Sequence, residues 1–432
     1  MEHLNLTHSW IGNLILLFFG TGYYFIATEE KFRLNKAIPA VFVGTLSFFL
    51  LGIYLYYTKG DLKLLNKEIK LLTLEIAEIF FFLFVAMTYI ETLIERRVFE
   101  ALRYKILSKK LTYKKIFWLT GLLAFFLSPI ADNLTTALIL STVLITIEKK
   151  NENFLVPAGI NIVVGANAGG AWSPFGDITT LMAWTAGKAT VSEFLLLFPS
   201  SFFGWLLNAW LLSMFIPDGV PFFNPEMEKV KMKPGAKRII GLGIFTIFIV
   251  VVGHHLFHLP PMWGMMLGLA LLQLYSYNLS NRYNVKINVF KTMGKIENDT
   301  LLFFFGILSA VGALHFTGWL NYIVKMYEFA GATSTNILVG FISAIIDNVP
   351  VMNAILKSSP SMNVKQWLLV TLTAGIGGSL ISFGSAAGVG VMGRMRGIYT
   401  FNAHLKYLWT ILAGYILSIL IWYLQFNLLE KF

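Results

Sequence analysis

The chain has 432 residues, of which 56% are hydrophobic and 13% charged, with a mean hydropathy of +0.68. These proportions exclude a water-soluble domain, which carries about 25% charged residues, and indicate a multi-span membrane protein with no soluble domain. The net charge of +11 is spread through short loops, which argues against nucleic acid, and the absence of cysteine removes disulfides, thiolate metal sites and cysteine nucleophiles.

The N-terminus lacks a basic region followed by a short cleavable apolar stretch, so the segment from about Trp10 to Ala27 reads as a retained span. Ordinary spans of about 20 residues are predicted near 10–28, 37–57, 71–93, 193–216, 238–256, 261–279, 299–324 and 406–426. Four segments do not fit that length. Residues 116–147 carry Asp132 as their only charge and are too long for one span, too short for two crossings and a turn. A re-entrant hairpin fits, with its tip at Ser128-Pro-Ile-Ala-Asp132-Asn133. Residues 329–356 repeat the pattern around Ser343-Ala-Ile-Ile-Asp347-Asn348, placing both tips near mid-membrane. Each hairpin is followed by a glycine-rich apolar segment, 154–187 and 367–393, in which a continuous helix is disfavoured. Their central strings match, Gly169-Gly170-Ala-Trp-Ser-Pro-Phe175-Gly176-Asp177 against Gly377-Gly378-Ser-Leu-Ile-Ser-Phe383-Gly384-Ser385. His254, His255 and His258 lie where a helix leaves the bilayer, have no carboxylate beside them, and read as interfacial.

Lys and Arg accumulate on the cytoplasmic side of membrane proteins. The 34 basic residues divide most unequally between the two faces if both glycine-rich segments cross as broken helices. Each half then has five crossings and one hairpin, the second half is inverted relative to the first, and both termini are external. The expected fold is therefore an all-α polytopic membrane protein of two inverted repeats. The first occupies residues 1–216, with hairpin 116–147 and broken helix 154–187. A cytoplasmic linker covers 217–237, and the second repeat covers 238–432, with hairpin 329–356 and broken helix 367–393. Discontinuous helices meeting at the midplane are the architecture of secondary transporters.

An ionised carboxylate is expensive among apolar residues in a bilayer, and two in matched contexts point to ion or proton handling. Each Asp-Asn pair also opens the second arm of its hairpin, where free backbone amides favour a carboxylate. Capping and ion binding are compatible. Hard cations take oxygen ligands, and the neighbourhood supplies Asp132, Asn133 and Thr135 at the first tip and Asp347 and Asn348 at the second. Asn167, Asp177 and Thr179 stand at the first break, Ser382 and Ser385 at the second, with Ser128, Ser343 and Glu78 as further candidates. Three carboxylates, Asp132, Asp177 and Asp347, with no Lys or Arg among them, favour an alkali cation such as Na+ over an anion. Na+ and H+ contending for these carboxylates would suffice for exchange in an alternating-access scaffold.

The strings Ser128-Pro-Ile-Ala-Asp132-Asn133-Leu-Thr135-Thr136-Ala, Asn167-Ala-Gly-Gly-Ala-Trp-Ser-Pro-Phe-Gly176-Asp177-Ile-Thr179-Thr180 and Ile346-Asp347-Asn348-Val-Pro350 resemble the bacterial NhaD-type Na+/H+ antiporters. That family belongs to the ion transporter superfamily, with the divalent-anion/sodium symporters and arsenite pumps. From about residue 70 to 427 the resemblance implies a homodimer in the bacterial inner membrane, with a scaffold domain and a mobile transport domain. It implies export of Na+ or Li+ against H+ with no cofactor and no enzymatic activity. It also implies functional roles for Asp132, Asn133, Thr135, Asn167, Asp177, Thr179, Asp347, Asn348, Ser382 and Ser385, with Glu78 an addition. Two departures mark unequal halves: the second tip continues Val349-Pro350-Val351 rather than Thr-Thr, and Ser385 stands where the first half has Asp177. The alternatives are a Na+-coupled dicarboxylate symporter of the same superfamily, an intramembrane aspartyl protease and an ion channel.

Overall fold

A computed structural model of the protein describes residues 4–109, 111–221, 229–283 and 287–428. Part of the expected linker, 222–228, lies outside the described residues. Every regular element among the described residues is helical, and nine helices are long and apolar enough to cross a membrane. The chain is a multi-pass helical membrane protein, as expected where each backbone amide must find its partner inside its own segment.

The chain forms two compact units, each assembled from both halves of the sequence. The first comprises Met1–Arg96, Lys233–Phe329 and Asn353–Pro360. Its helices Ala37–Tyr57 and Asn298–Phe316 meet backbone to backbone. A Cβ added at Gly44 would lie 2.4 Å from the Gly306 carbonyl, and one added at Gly306 only 2.3 Å from Ala40. Such small-residue contacts are how membrane helices gain dispersion energy when lipid is as apolar as the partner. Leu51, Leu55, Val311, Leu314 and Phe316 fill the adjoining core with Ile15.

Two spans in this unit differ from their predicted limits. The span predicted at 71–93 belongs to a 34-residue helix, Leu62–Glu95, because the Asp61 carboxylate accepts from the amides of Lys63 and Leu64, both at 2.9 Å, and starts the helix early. The span predicted at 299–324 stops at Phe316. Gly318 takes φ +89°, and the Gly318 and Trp319 amides return to the carbonyls of His315 and Leu314 at 2.9 and 3.0 Å. That paired pattern is a Schellman stop, after which a separate helix runs Asn321–Ala330. The three histidines close the helix Ala236–Phe257, where His258 adopts the left-handed conformation. Among the described residues no group of His, Asp or Glu is arranged to hold a metal.

The second unit comprises Arg97–Met232, Ala330–Met352 and Ser361–Phe432. It contains the first hairpin, with arms Tyr113–Ala131 and Asn133–Ile147, and the tip of the second, whose arms are Ala332–Ile345 and Asn348–Ser358. Both glycine-rich segments are broken helices. The first runs Glu152–Ala171 and resumes at Ile178–Thr185; the second runs Val364–Gly377 and resumes at Ala386–Arg394.

The same joint is built twice. Ser128 Oγ donates to the Ala166 carbonyl at 2.6 Å, and Ser343 Oγ donates to the Ala374 carbonyl at 2.6 Å, so each hairpin is stapled to its broken helix. Within each break a glycine pair closes the turn: a Cβ at Gly170 would stand 2.7 Å from the Gly176 carbonyl, and one at Gly378 the same 2.7 Å from Gly384. At the second joint a Cβ on Gly377 would sit 2.3 Å from the Gly340 carbonyl. Gly377→Val is therefore expected to lower stability by about 1–3 kcal/mol through overpacking, seen as a lower thermal unfolding midpoint in detergent. An unchanged midpoint would mean the two helices can part freely there.

Candidate ion site at the hairpin tips and helix breaks

All of the predicted site residues except Glu78 fall in the second unit. Asp132 is the one residue between the two arms of the first hairpin, at φ 56° and ψ 163°. Its Oδ1 accepts from the Thr135 amide and its Oδ2 from Thr135 Oγ1, both at 2.8 Å. The carboxylate thus caps the second arm and keeps Thr135 at the tip. Proline at 129, inside the last turn of the first arm, removes one backbone donor just before the bend.

Asp177 caps the second half of the first broken helix, with the Thr179 amide 3.3 Å from Oδ1 and Thr180 completing a capping box. Its Oδ2 accepts from both tip asparagines, Asn348 Nδ2 at 2.8 Å and Asn133 Nδ2 at 3.3 Å. One carboxylate therefore joins the two hairpins. Asn167 does the reciprocal work between the two breaks. Its Oδ1 accepts from Asn133 Nδ2 at 3.1 Å, while its Nδ2 donates to Ser379 Oγ at 2.7 Å and Ser385 Oγ at 2.8 Å. The amide orientations follow from the network: only a donor nitrogen suits the Asp177 carboxylate, which fixes Asn133 and then Asn167. Ser385 caps the resumed second helix, accepting from the Gly388 amide at 3.3 Å.

Asn133, Asn167, Asp177, Asn348 and Ser385 are all buried, so each polar contact is made in a region that strengthens it. Two further hydroxyls, Thr179 Oγ1 and Ser382 Oγ, are buried without a hydrogen-bond partner among the described residues. Buried hydroxyls are normally satisfied, and each exception calls for an explanation. The Asp177 carboxylate and the two unengaged hydroxyls are oxygen groups of the kind a hard cation takes.

Known proteins bear on the family. The model of a family described as citrate transporter matches residues 13–375. The Na(+)/H(+) antiporter NhaD of Vibrio cholerae is 42% identical over 97% of this chain and 93% of its own length. The chain belongs to the NhaD antiporter family. NhaD of Alkalimonas amylolytica is 43% identical over 96% of this chain and 91% of its own length, and sodium/proton antiporter 1 of Arabidopsis thaliana is 32% identical over 90% and 69%.

Within this NhaD-family chain, Ser128 and Ser343 have a structural occupation as staples. Glu78 belongs to the first unit, half-buried on the helix Leu62–Glu95. One network member escaped the sequence reading: Ser379, which shares Asn167 with Ser385. Its signal was the repeat itself, since it directly follows the Gly377-Gly378 pair in the matched string.

Proposed function

We propose that this chain is a secondary transporter that exchanges cytoplasmic Na+ or Li+ for external H+ by alternating access. The observation that carries this reading is Asp177, a buried carboxylate receiving an asparagine from each hairpin tip. Thr179 and Ser382, one at each break, have buried hydroxyl oxygens that are unengaged among the described residues. Asp132, Asp177 and Asp347 take the cation or protons, and Thr179, Ser382 and unwound carbonyls complete the oxygen shell. Loading Na+ expels protons, and protonation expels Na+. Glu78, inside a span, is a further proton-handling group. The proposal extends to an inner-membrane homodimer, built from two inverted repeats with external termini. The unit holding the hairpin tips would serve as transport domain and the other as scaffold.

The description of the matching family model as citrate transporter favours a second reading, a Na+-coupled carboxylate symporter. Three acids at the site oppose a dianion. In acidified everted vesicles, Na+ or Li+ should dissipate the proton gradient. Na+-dependent citrate or succinate uptake without cation-driven proton release would replace the first reading with the second. Orientation has its own test, simplified by the absence of native cysteine. Single cysteines at Lys109 and Lys233 should label only from the cytoplasm and one at Ser359 only from outside. Labelling of 109 and 233 from opposite faces would remove the crossing broken helix and with it the inverted repeat.

A further inference from the structure

The two breaks are held open differently. In the first, Pro174 fixes its own backbone, and Ser173 Oγ donates to the Pro129 carbonyl at 3.1 Å. The second break has leucine, isoleucine and serine at 380–382 and no proline. Its helix ends at Gly377, which leaves the following carbonyls without intrahelical donors. At membrane depth such groups must be satisfied by protein.

His404 supplies the donor. It lies on the short helix Phe401–Leu405, capped by Thr400, and is fully buried. Its Nε2 is 3.0 Å from the Ser379 carbonyl and 3.2 Å from the Leu380 carbonyl. Carbonyls only accept, so Nε2 carries the proton and shares it between the two. On the other side Nδ1 is 2.7 Å from the hydroxyl of Tyr399, itself buried. Tyr399 donating to Nδ1 completes a neutral imidazole with both nitrogens used and its tautomer fixed. Tyr399 is in turn seated against the first broken helix, where a Cβ on Gly159 would approach its ring to 3.0 Å. The positions matching Tyr399 and His404 in the first half, from the alignment of Asp177 with Ser385, are Val191 and Leu196.

We infer that His404, locked by Tyr399, is a positioning residue for the transported cation: it clamps the Ser379 and Leu380 carbonyls and thereby fixes where Ser379, Ser382 and Ser385 present their oxygens. The inference rests on the cation-exchange reading. Ser379 connects the clamp directly to Asn167, and through Asn167 and Asn133 to the Asp177 hub. Removing the clamp loosens the cavity rather than removing a ligand. Cation discrimination, which depends on cavity size and rigidity, should therefore suffer more than turnover.

The experiment measures Km and maximal rate for Na+ and Li+ in everted vesicles, at fixed pH and matched protein level, for wild type, His404→Leu, His404→Gln and Tyr399→Phe. Loss of an outer-shell donor of this kind typically weakens ion affinity by about 10–100-fold. His404→Leu is expected to raise the Km for Na+ about tenfold and that for the smaller Li+ further, with maximal rate changed by less than about twofold. Glutamine, which places an amide near the Nε2 position, should restore most of the affinity, and Tyr399→Phe should shift Km in the same direction as leucine but less. If leucine prevents folding, glutamine and Tyr399→Phe decide the matter. Unchanged Km values in the folded variants beside an active wild type would overturn the clamp alone. Equal loss of maximal rate with constant Km would also overturn it. A wild type with no cation-driven proton release would overturn the exchange reading and the clamp with it.

Discussion

Asp132→Asn and Asp347→Asn should each reduce Na+-driven proton release to the level of empty vesicles while leaving insertion and thermal stability close to wild type. At Asp132 the structural reason is specific. The retained Oδ1 still accepts from the Thr135 amide, and the new amide nitrogen can face Thr135 Oγ1 once that hydroxyl turns to accept. The cap survives and the charge is lost. Asp177→Asn behaves differently because both of its oxygens accept: Oδ1 from the Thr179 amide and Oδ2 from Asn133 and Asn348. Whichever way an asparagine turns, an NH2 group faces a donor. An unsatisfied buried polar group costs about 1–3 kcal/mol, so this variant should lose exchange and also unfold at lower temperature. Activity and unfolding midpoint measured together on the three purified proteins separate the cases. Near-wild-type exchange in Asp132→Asn and Asp347→Asn would reduce those acids to helix caps.

The helix starts at the two Asp-Asn words and the helix breaks were legible because they depend on local chemistry. Asp-Asn after an apolar run is a helix start in any environment, and glycines with Pro174 oppose a helix in any environment. The stop after Phe316 was equally local, written in Thr317-Gly318, but a hydropathy window averages over one glycine and carried the span on to 324. The early start of the helix Leu62–Glu95 was hidden for the opposite reason. Lys63, Lys67, Glu68 and Lys70 lower the hydropathy of its first turns while Asp61 caps it.

The polar network was legible as a set of residues and illegible in its connections. Matched motifs name Asn133, Asn167, Asp177 and Asn348, yet nothing in their spacing tells which amide meets which oxygen. The equivalence of the halves even suggests symmetric partners. The structure breaks that symmetry: both tip asparagines meet at Asp177, while its counterpart Ser385 receives Asn167. His404 was invisible because a histidine near the start of a span has no local signature for a bond to carbonyls 24 and 25 residues upstream.

That asymmetry has a consequence for pH. If Na+ and H+ compete for the carboxylates around Asp177, lowering pH must raise the apparent Km for Na+, because each protonated site has to release its proton before the cation binds. Where protonation dominates, Km should rise by up to about tenfold per pH unit for one displaced proton and about a hundredfold for two released together. Saturating Na+ should recover much of the lost rate until protonation also slows the return step. A separate pH sensor would act otherwise, collapsing maximal rate at low pH with little change in Km. Initial rates over a matrix of Na+ concentration and pH distinguish the two. A Km that stays constant across the pH range would rule out direct competition, and the slope of log Km against pH would count the protons that leave as the cation enters.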